Sequence, residues 1–253
     1  MESGIHVALA PETITTIFGL PITNTLLTSW AVILVLFVIA IVIGRNPKLI
    51  PGRFQLLLEW LFGFVYDYIA ETLESREYAR CFFPYLVTIF LFVFTSNLLE
   101  FTPGIGSVGF FGDPSASSGH ATGFTPLLRS VNTDLNVTLM LAILSFLVIE
   151  ISGILAIGAW KYAGKFINFR GPIAFFVGIV EFFSEIARIV SFSFRLFGNI
   201  FAGEVLILVV TYFLPVVAPV PIMAFEVFVG FVQAAIFALL TLFFIKLAIA
   251  EPH

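Results

Sequence analysis

Residues 26–44, LLTSWAVILVLFVIAIVIG, carry no charge over a stretch long enough to cross the roughly 30 Å hydrocarbon core of a bilayer. Comparable apolar stretches follow at 82–101, 137–157, 172–214 and 222–248. The chain of 253 residues is 60% hydrophobic, with 32 Phe and only 11% charged residues. A water-soluble domain has too little polar surface to cover that much apolar side chain, so its solvent is lipid. The expected fold class is an all-α integral membrane protein, because only helices and closed barrels satisfy their backbone inside a bilayer.

Between the first two spans the pattern changes. Over residues 54–77, Asp67, Glu71 and Glu74 recur at helical spacing opposite Leu58, Leu61, Val65 and Tyr68, which predicts an amphipathic helix on the membrane surface. The segment TPGIGSVGFFGDPSASSGHATGFTP, 102–126, reads as an aqueous loop. No period of 20 to 50 residues repeats, and residues 1–253 are expected to form a single membrane domain. The first residues, MESGIHVALAPETI, lack the basic-then-apolar order of a cleavable signal. Cys81 is the only cysteine, and His6, His120 and His253 lie outside the apolar runs. Neither an internal disulfide nor a His-based metal site in the membrane is expected, and no cofactor. The net charge of -4 gives no sign of a nucleic-acid partner.

The basic residues set an orientation. Arg45, Lys48, Arg53, Arg76 and Arg80 fall in one loop and Lys161, Lys165 and Arg170 in another on the same side, whereas the opposite loops hold only Arg129. By the positive-inside rule the N-terminus is outside and the C-terminus, near Lys246, inside, with five passes. The stretch 172–214 is about twice the length an upright helix needs, so it either breaks or lies strongly tilted.

That stretch also carries the polar groups. On a helix, Glu181, Glu185, Arg188, Phe192, Arg195 and Asn199 share one narrow sector. Ionisable groups at membrane depth are costly and face protein or water. Glu185 and Arg188, three apart, suit a pair that neutralises itself. Arg195 has no carboxylate three or four positions away, and a guanidinium keeps its proton, so its counter-charge must come from elsewhere. Glu204, nine residues on, falls on the other side of the wheel. In the last stretch Glu226 and Gln233 share a face, and a reversal near Val217 brings Glu226 level with Glu204 and Gln233 near Asn199. Two adjacent carboxyls in low dielectric do not both ionise easily, which suits a proton relay. Gly198, Ala202 and Gly203 permit close helix approach.

At Ser191-Phe192-Ser193-Phe194-Arg195-Leu196-Phe197-Gly198-Asn199-Ile200, with Ala202-Gly203-Glu204 and with Glu226 and Gln233, the chain closely resembles subunit a of F-type ATP synthases. The likeness extends to SNLLEFTP, with Asn97, Glu100 and Pro103, and to NTDLNVTL, with Asp134 and Asn136. The resemblance implies one upright N-terminal helix, an amphipathic surface helix, a helical hairpin and two long, strongly tilted C-terminal helices. It implies that Arg195 is the gate facing the carboxylates of a rotating c ring. By the same likeness Glu204, Glu226, Asn199 and Gln233, with Asn97 and Glu100, belong to an outer half-channel, and Glu181 and Ser184 to an inner one. Relatives often carry a histidine in place of one of Glu204 and Glu226; here both are glutamate. Glu185, Arg188 and Glu150 have no role carried over.

The function so implied is that of a proton-translocating stator subunit. Its partners are c-ring proteolipids, peripheral-stalk b-type subunits, the rest of the synthase and membrane lipid. A bacterial plasma membrane is expected ahead of a mitochondrial inner membrane. Neither a GxxxxGK[ST] loop nor HExxH is present, so the chain is expected to catalyse no bond chemistry. The alternative, a self-contained secondary ion transporter, would show repeated halves around a midplane site, and no such repeat is visible. An intramembrane enzyme lacks an evident nucleophile and base.

Overall fold

The computed structural model describes residues 11, 13–17, 20–45, 52–102, 109–111, 124–166, 171–215 and 217–250. Pro47, Lys48, Pro103, Arg170 and the three histidines fall outside these residues. The described chain is dominated by helices: α1 Asn24–Gly44, α2 Arg53–Leu73, α3 Arg76–Glu100, α4 Leu135–Ile157, α5 Ala159–Phe166, α6 Pro172–Phe213 and α7 Pro219–Ile249. Five of them, α1, α3, α4, α6 and α7, are long and apolar enough to span a bilayer. The protein is therefore an all-α, multi-pass integral membrane protein. α6 runs unbroken for 42 residues, about 63 Å at 1.5 Å per residue, so the length of this stretch is not resolved by a break.

Two short antiparallel hairpins were not foreseen. β1 Thr13–Ile17 pairs with β2 Leu20–Thr23, and β3 Gly109–Phe111 pairs with β4 Phe124–Pro126. The first follows from TITTI, a β-branched run outside the apolar period, and leads straight into α1. Thr23 ends β2 and caps α1, its hydroxyl accepting from the Leu26 N–H at 3.3 Å.

The expected surface helix is shorter than 54–77. It ends at Leu73 because Glu74 turns left-handed, with φ 54, its N–H bonding to the Glu71 carbonyl. The chain restarts as α3 at Arg76, so Glu77 belongs to a spanning helix that begins well before residue 82. α2 packs on the chain through a seam that the sequence reading left open. Ile69 and Leu73 are buried, and Phe62 and Tyr66 meet the Phe83 ring edge-on at 6.4 and 5.6 Å, whereas Leu61 and Tyr68 are exposed. The α2 sequence is apolar around most of its circumference, so the position of Phe83 on α3 chooses the seam.

The chain packs as two compact units. The first comprises Met1–Pro47, Phe90–Val137 and Leu196–Ala235; the second comprises Lys48–Ile89, Thr138–Arg195 and Ile236–His253. In the first, Phe90 and Phe94 of α3 clasp Phe231 of α7 edge-to-face at 5.9 and 5.6 Å, and Val93 is fully buried. In the second, Phe192 of α6 meets Phe237 of α7 in a tilted contact at 5.0 Å and Phe244 edge-on at 5.7 Å. There α4 approaches closely through Gly153, whose missing side chain leaves room for the Tyr162 ring and the Ala248 carbonyl.

Candidate functional site

In the first unit, Asn199 Nδ2 on α6 donates to Gln233 Oε1 on α7 at 2.7 Å. One turn further along α6, Gly203 has no Cβ, and the Glu226 carboxyl occupies that space. Spacing alone had placed Asn199 near Gln233 and Glu226 level with Glu204, and these neighbours follow that register. Gln233 and Glu226 are buried. From α3, Asn97 Nδ2 donates to the Gly230 carbonyl at 3.0 Å, an approach made possible by the bare Cα of that glycine. The Asn97 Oδ1 accepts from Asn132 Nδ2 at 2.6 Å.

Glu204 and Glu226 do not form the two-member pair that spacing suggested. No hydrogen bond joins them, and each instead lies within electrostatic reach of Glu100. Glu100 accepts from the Ser130 hydroxyl at 2.9 Å, and Arg129 lies within electrostatic reach of both Glu100 and Glu204. The acidic group is a trio around Glu100, with one cation beside it. Glu204 Oε2 and Gln233 Nε2 have no hydrogen-bond partner among the described residues, so both can bond a transient guest.

Sequence reasoning missed the segment that supports this group. Arg129, Ser130, Asn132, Thr133 and Asp134 are all buried, in the connection between β4 and α4 that follows the aqueous loop expected over 102–126. Thr28 on α1 accepts the Arg129 N–H at 3.1 Å, Thr25 donates to Asp134 Oδ2 at 2.8 Å, and Asp134 Oδ1 accepts the Asn136 N–H at the start of α4. The available signal was Arg129 itself, the one Lys or Arg between Arg80 and Lys161, seated just before NTDLNVTL.

In the second unit the polar stripe of α6 is graded. Taking Glu181 as zero, Glu185 and Phe192 lie at about +40° and +20°, Arg188 and Arg195 at about -20° and -40°. Glu185 and Phe192 are buried, Glu181 and Arg188 half-buried, and Arg195 exposed. Phe237 and Phe244 of α7 pack on Phe192, and Phe244 also covers the Arg188 guanidinium, whereas Arg195 is left bare. Arg188 Nη1 bonds Glu185 Oε2 at 2.6 Å, and its Cζ sits 4.0 Å from the centroid of the Phe244 ring. Arg195 Nη2 donates to the Ser191 hydroxyl at 3.3 Å, and no carboxylate among the described residues pairs with it. Ser184 is exposed and bonds back to the Val180 carbonyl at 2.9 Å. Glu150 on α4 lies beside the Tyr162 hydroxyl, and burial followed by that carboxylate pushes the phenol above its usual range. No group of three or more metal-ligating side chains occurs among the described residues.

Residues 26–246 match the protein family described as ATP synthase A chain. The chain belongs to that family. Its members among known proteins include ATP synthase subunit a, sodium ion specific, of Propionigenium modestum, 31% identical over 96% of this chain and 80% of the relative. ATP synthase subunit a of Legionella pneumophila is 32% identical over 90% of this chain and 86% of its own. That of Geotalea daltonii is 29% identical over 89% and 87%. As a member of the ATP synthase A chain family, the protein is a membrane-sector subunit of the complex and takes part in ion transport and ATP synthesis.

Proposed function

We propose that the chain is the stator of a rotary ion path and carries no catalytic centre of its own. Its partner is a ring of c-type proteolipids, each with a mid-membrane carboxyl, and b-type stalk subunits hold it still. The observation that carries this reading is Arg195: a permanent charge on a spanning helix, exposed, with no carboxylate among the described residues paired with it. Such a group requires a counter-charge from another molecule. A ring carboxyl is stable in lipid only when protonated. Opposite Arg195 the ionised form is favoured, since opposite charges about 4 Å apart attract by roughly 4 kcal/mol at an effective dielectric near 20. The proton therefore leaves on one side of the arginine and a new one is taken up on the other.

Glu204, Glu226, Glu100, Asn199, Gln233 and Asn97 form the outer half-channel in this reading, and Arg129 biases its carboxyl trio. Glu181 and Ser184 serve the inner half-channel. The drive is the transmembrane gradient, about 2.3 kcal/mol per charge per 100 mV. The membrane is a bacterial plasma membrane, with the N-terminus outside and the C-terminus inside. The coupling ion is the proton. Sodium is a second reading, favoured by the name of the Propionigenium modestum relative.

Arg195→Ala tests the gate. Coupled ATP synthesis and ATP-driven pumping are expected to vanish, while vesicles stripped of the catalytic head leak protons faster than wild type. Arg195→Lys is expected to fail in coupling as well, because an amine sheds its proton when desolvated and lacks the planar fork. Normal synthesis in Arg195→Ala would end the stator reading.

A further inference from the structure

α6 carries a second guanidinium two turns before Arg195, and helical geometry sets Arg188 on nearly the same side, about 10.5 Å away along the axis. The two are treated differently by their surroundings. Arg188 is bonded to Glu185 at 2.6 Å and covered on one face by Phe244, and Glu185 is itself 3% exposed. The Tyr162 hydroxyl, with Glu150 beside it, lies within electrostatic reach of both. Arg195 is exposed and held only through the Ser191 hydroxyl at 3.3 Å.

We propose that Glu185 is a positioning residue that cancels the charge of Arg188, so that Arg195 alone on this face receives a migrating carboxylate. The inference rests on the stator reading. Two equal cations spaced along one face would offer two docking positions, and a carboxylate held at Arg188 would stand two turns out of register with Arg195. An ion pair presents only a dipole, whose field fades faster with distance than that of a single charge. The bond to buried Glu185 and the Phe244 ring also stop Arg188 from swinging outward.

An ion pair that serves only the fold predicts something else. Removing either member then harms alike, since each removal strands a buried partner. Cancellation is one-sided. Glu185→Gln frees a competing cation, whereas Arg188→Gln leaves none to compete with Arg195.

The test uses the intact complex in sealed vesicles, carrying Glu185→Gln, Glu185→Asp, Arg188→Gln or the Glu185→Gln/Arg188→Gln double, with ATP synthesis and ATP-driven pumping normalised to assembled complex. Glu185→Gln is expected to lose on the order of tenfold in both, as coupled charges in contact do. Glu185→Asp, Arg188→Gln and the double are expected within about twofold of wild type, the double thereby rescuing the single. The inference is overturned if Arg188→Gln or the double is as slow as Glu185→Gln, if Glu185→Gln matches wild type, or if Glu185→Gln does not assemble. Arg195→Ala in the same series separates the two levels: activity there sinks the stator reading itself, whereas an inactive Arg195→Ala with symmetric losses at Glu185 and Arg188 sinks only the role of Glu185.

Discussion

Glycine decides where two of the acidic and amide groups can go. Gly203 gives its side-chain volume to the Glu226 carboxyl, which is the far end of a flexible chain and can move aside. Gly203→Ala is therefore expected to displace that carboxyl and slow ATP synthesis while the complex assembles normally, a result read by comparing rate with the amount of subunit in membranes. Glu204→Gln should slow synthesis strongly, and Glu226→Gln to a milder or similar degree. Wild-type rates in both would remove these carboxyls from the ion path. Gly230 is a contrasting case, because an added Cβ would stand 2.9 Å from Asn97 Cβ, an atom tied to its backbone. The glycine motif near Arg195 was legible in the sequence, but the identity of each occupant was not, since it belongs to another helix.

Among the elements, the short connection before α4 has the largest consequence. Asp134 stands at the first cap of that helix and accepts from Thr25 on α1, so one carboxylate ties α1 to the segment that opens α4. Asp134→Ala removes a cap worth about 1 kcal/mol and leaves the Thr25 hydroxyl without its acceptor. The expected outcome is a lower melting temperature for the detergent-solubilised complex, with Asp134→Asn closer to wild type because it still caps. An unchanged melting temperature would mean that α1 is held elsewhere. α2 illustrates a different limit of pattern reading. Its acidic stripe was visible, but its packed seam was not, because an apolar surface that nearly encircles a helix does not say which part meets a neighbour.

At the scale of the whole molecule, the polar residues fall into separate sets within two compact units. Glu100, Glu204, Glu226, Asn199 and Gln233 belong to the first, and Glu181, Ser184 and Arg195 to the second. Coupling to one ion or the other is a property of the complete complex. Synthesis driven by an imposed proton gradient should run at the same rate with or without added sodium. A requirement for millimolar sodium, or protection by sodium against a carboxyl-modifying reagent, would replace the proton with sodium in the function proposed.

Five apolar runs in a weakly charged chain determined the solvent, and with it the class, because a bilayer leaves the backbone no alternative to helices that bond within themselves. The spacing around Arg195 determined which side chains share a face, since a helix converts position into angle without reference to anything else. Tertiary structure alone decided which residues of that face are covered, with Glu185 buried and Arg195 left bare. It also brought Arg129, in the connection before α4, within electrostatic reach of Glu204 and Glu100. Both outcomes depend on contacts between residues far apart in the chain, and no local period records which distant surface will arrive.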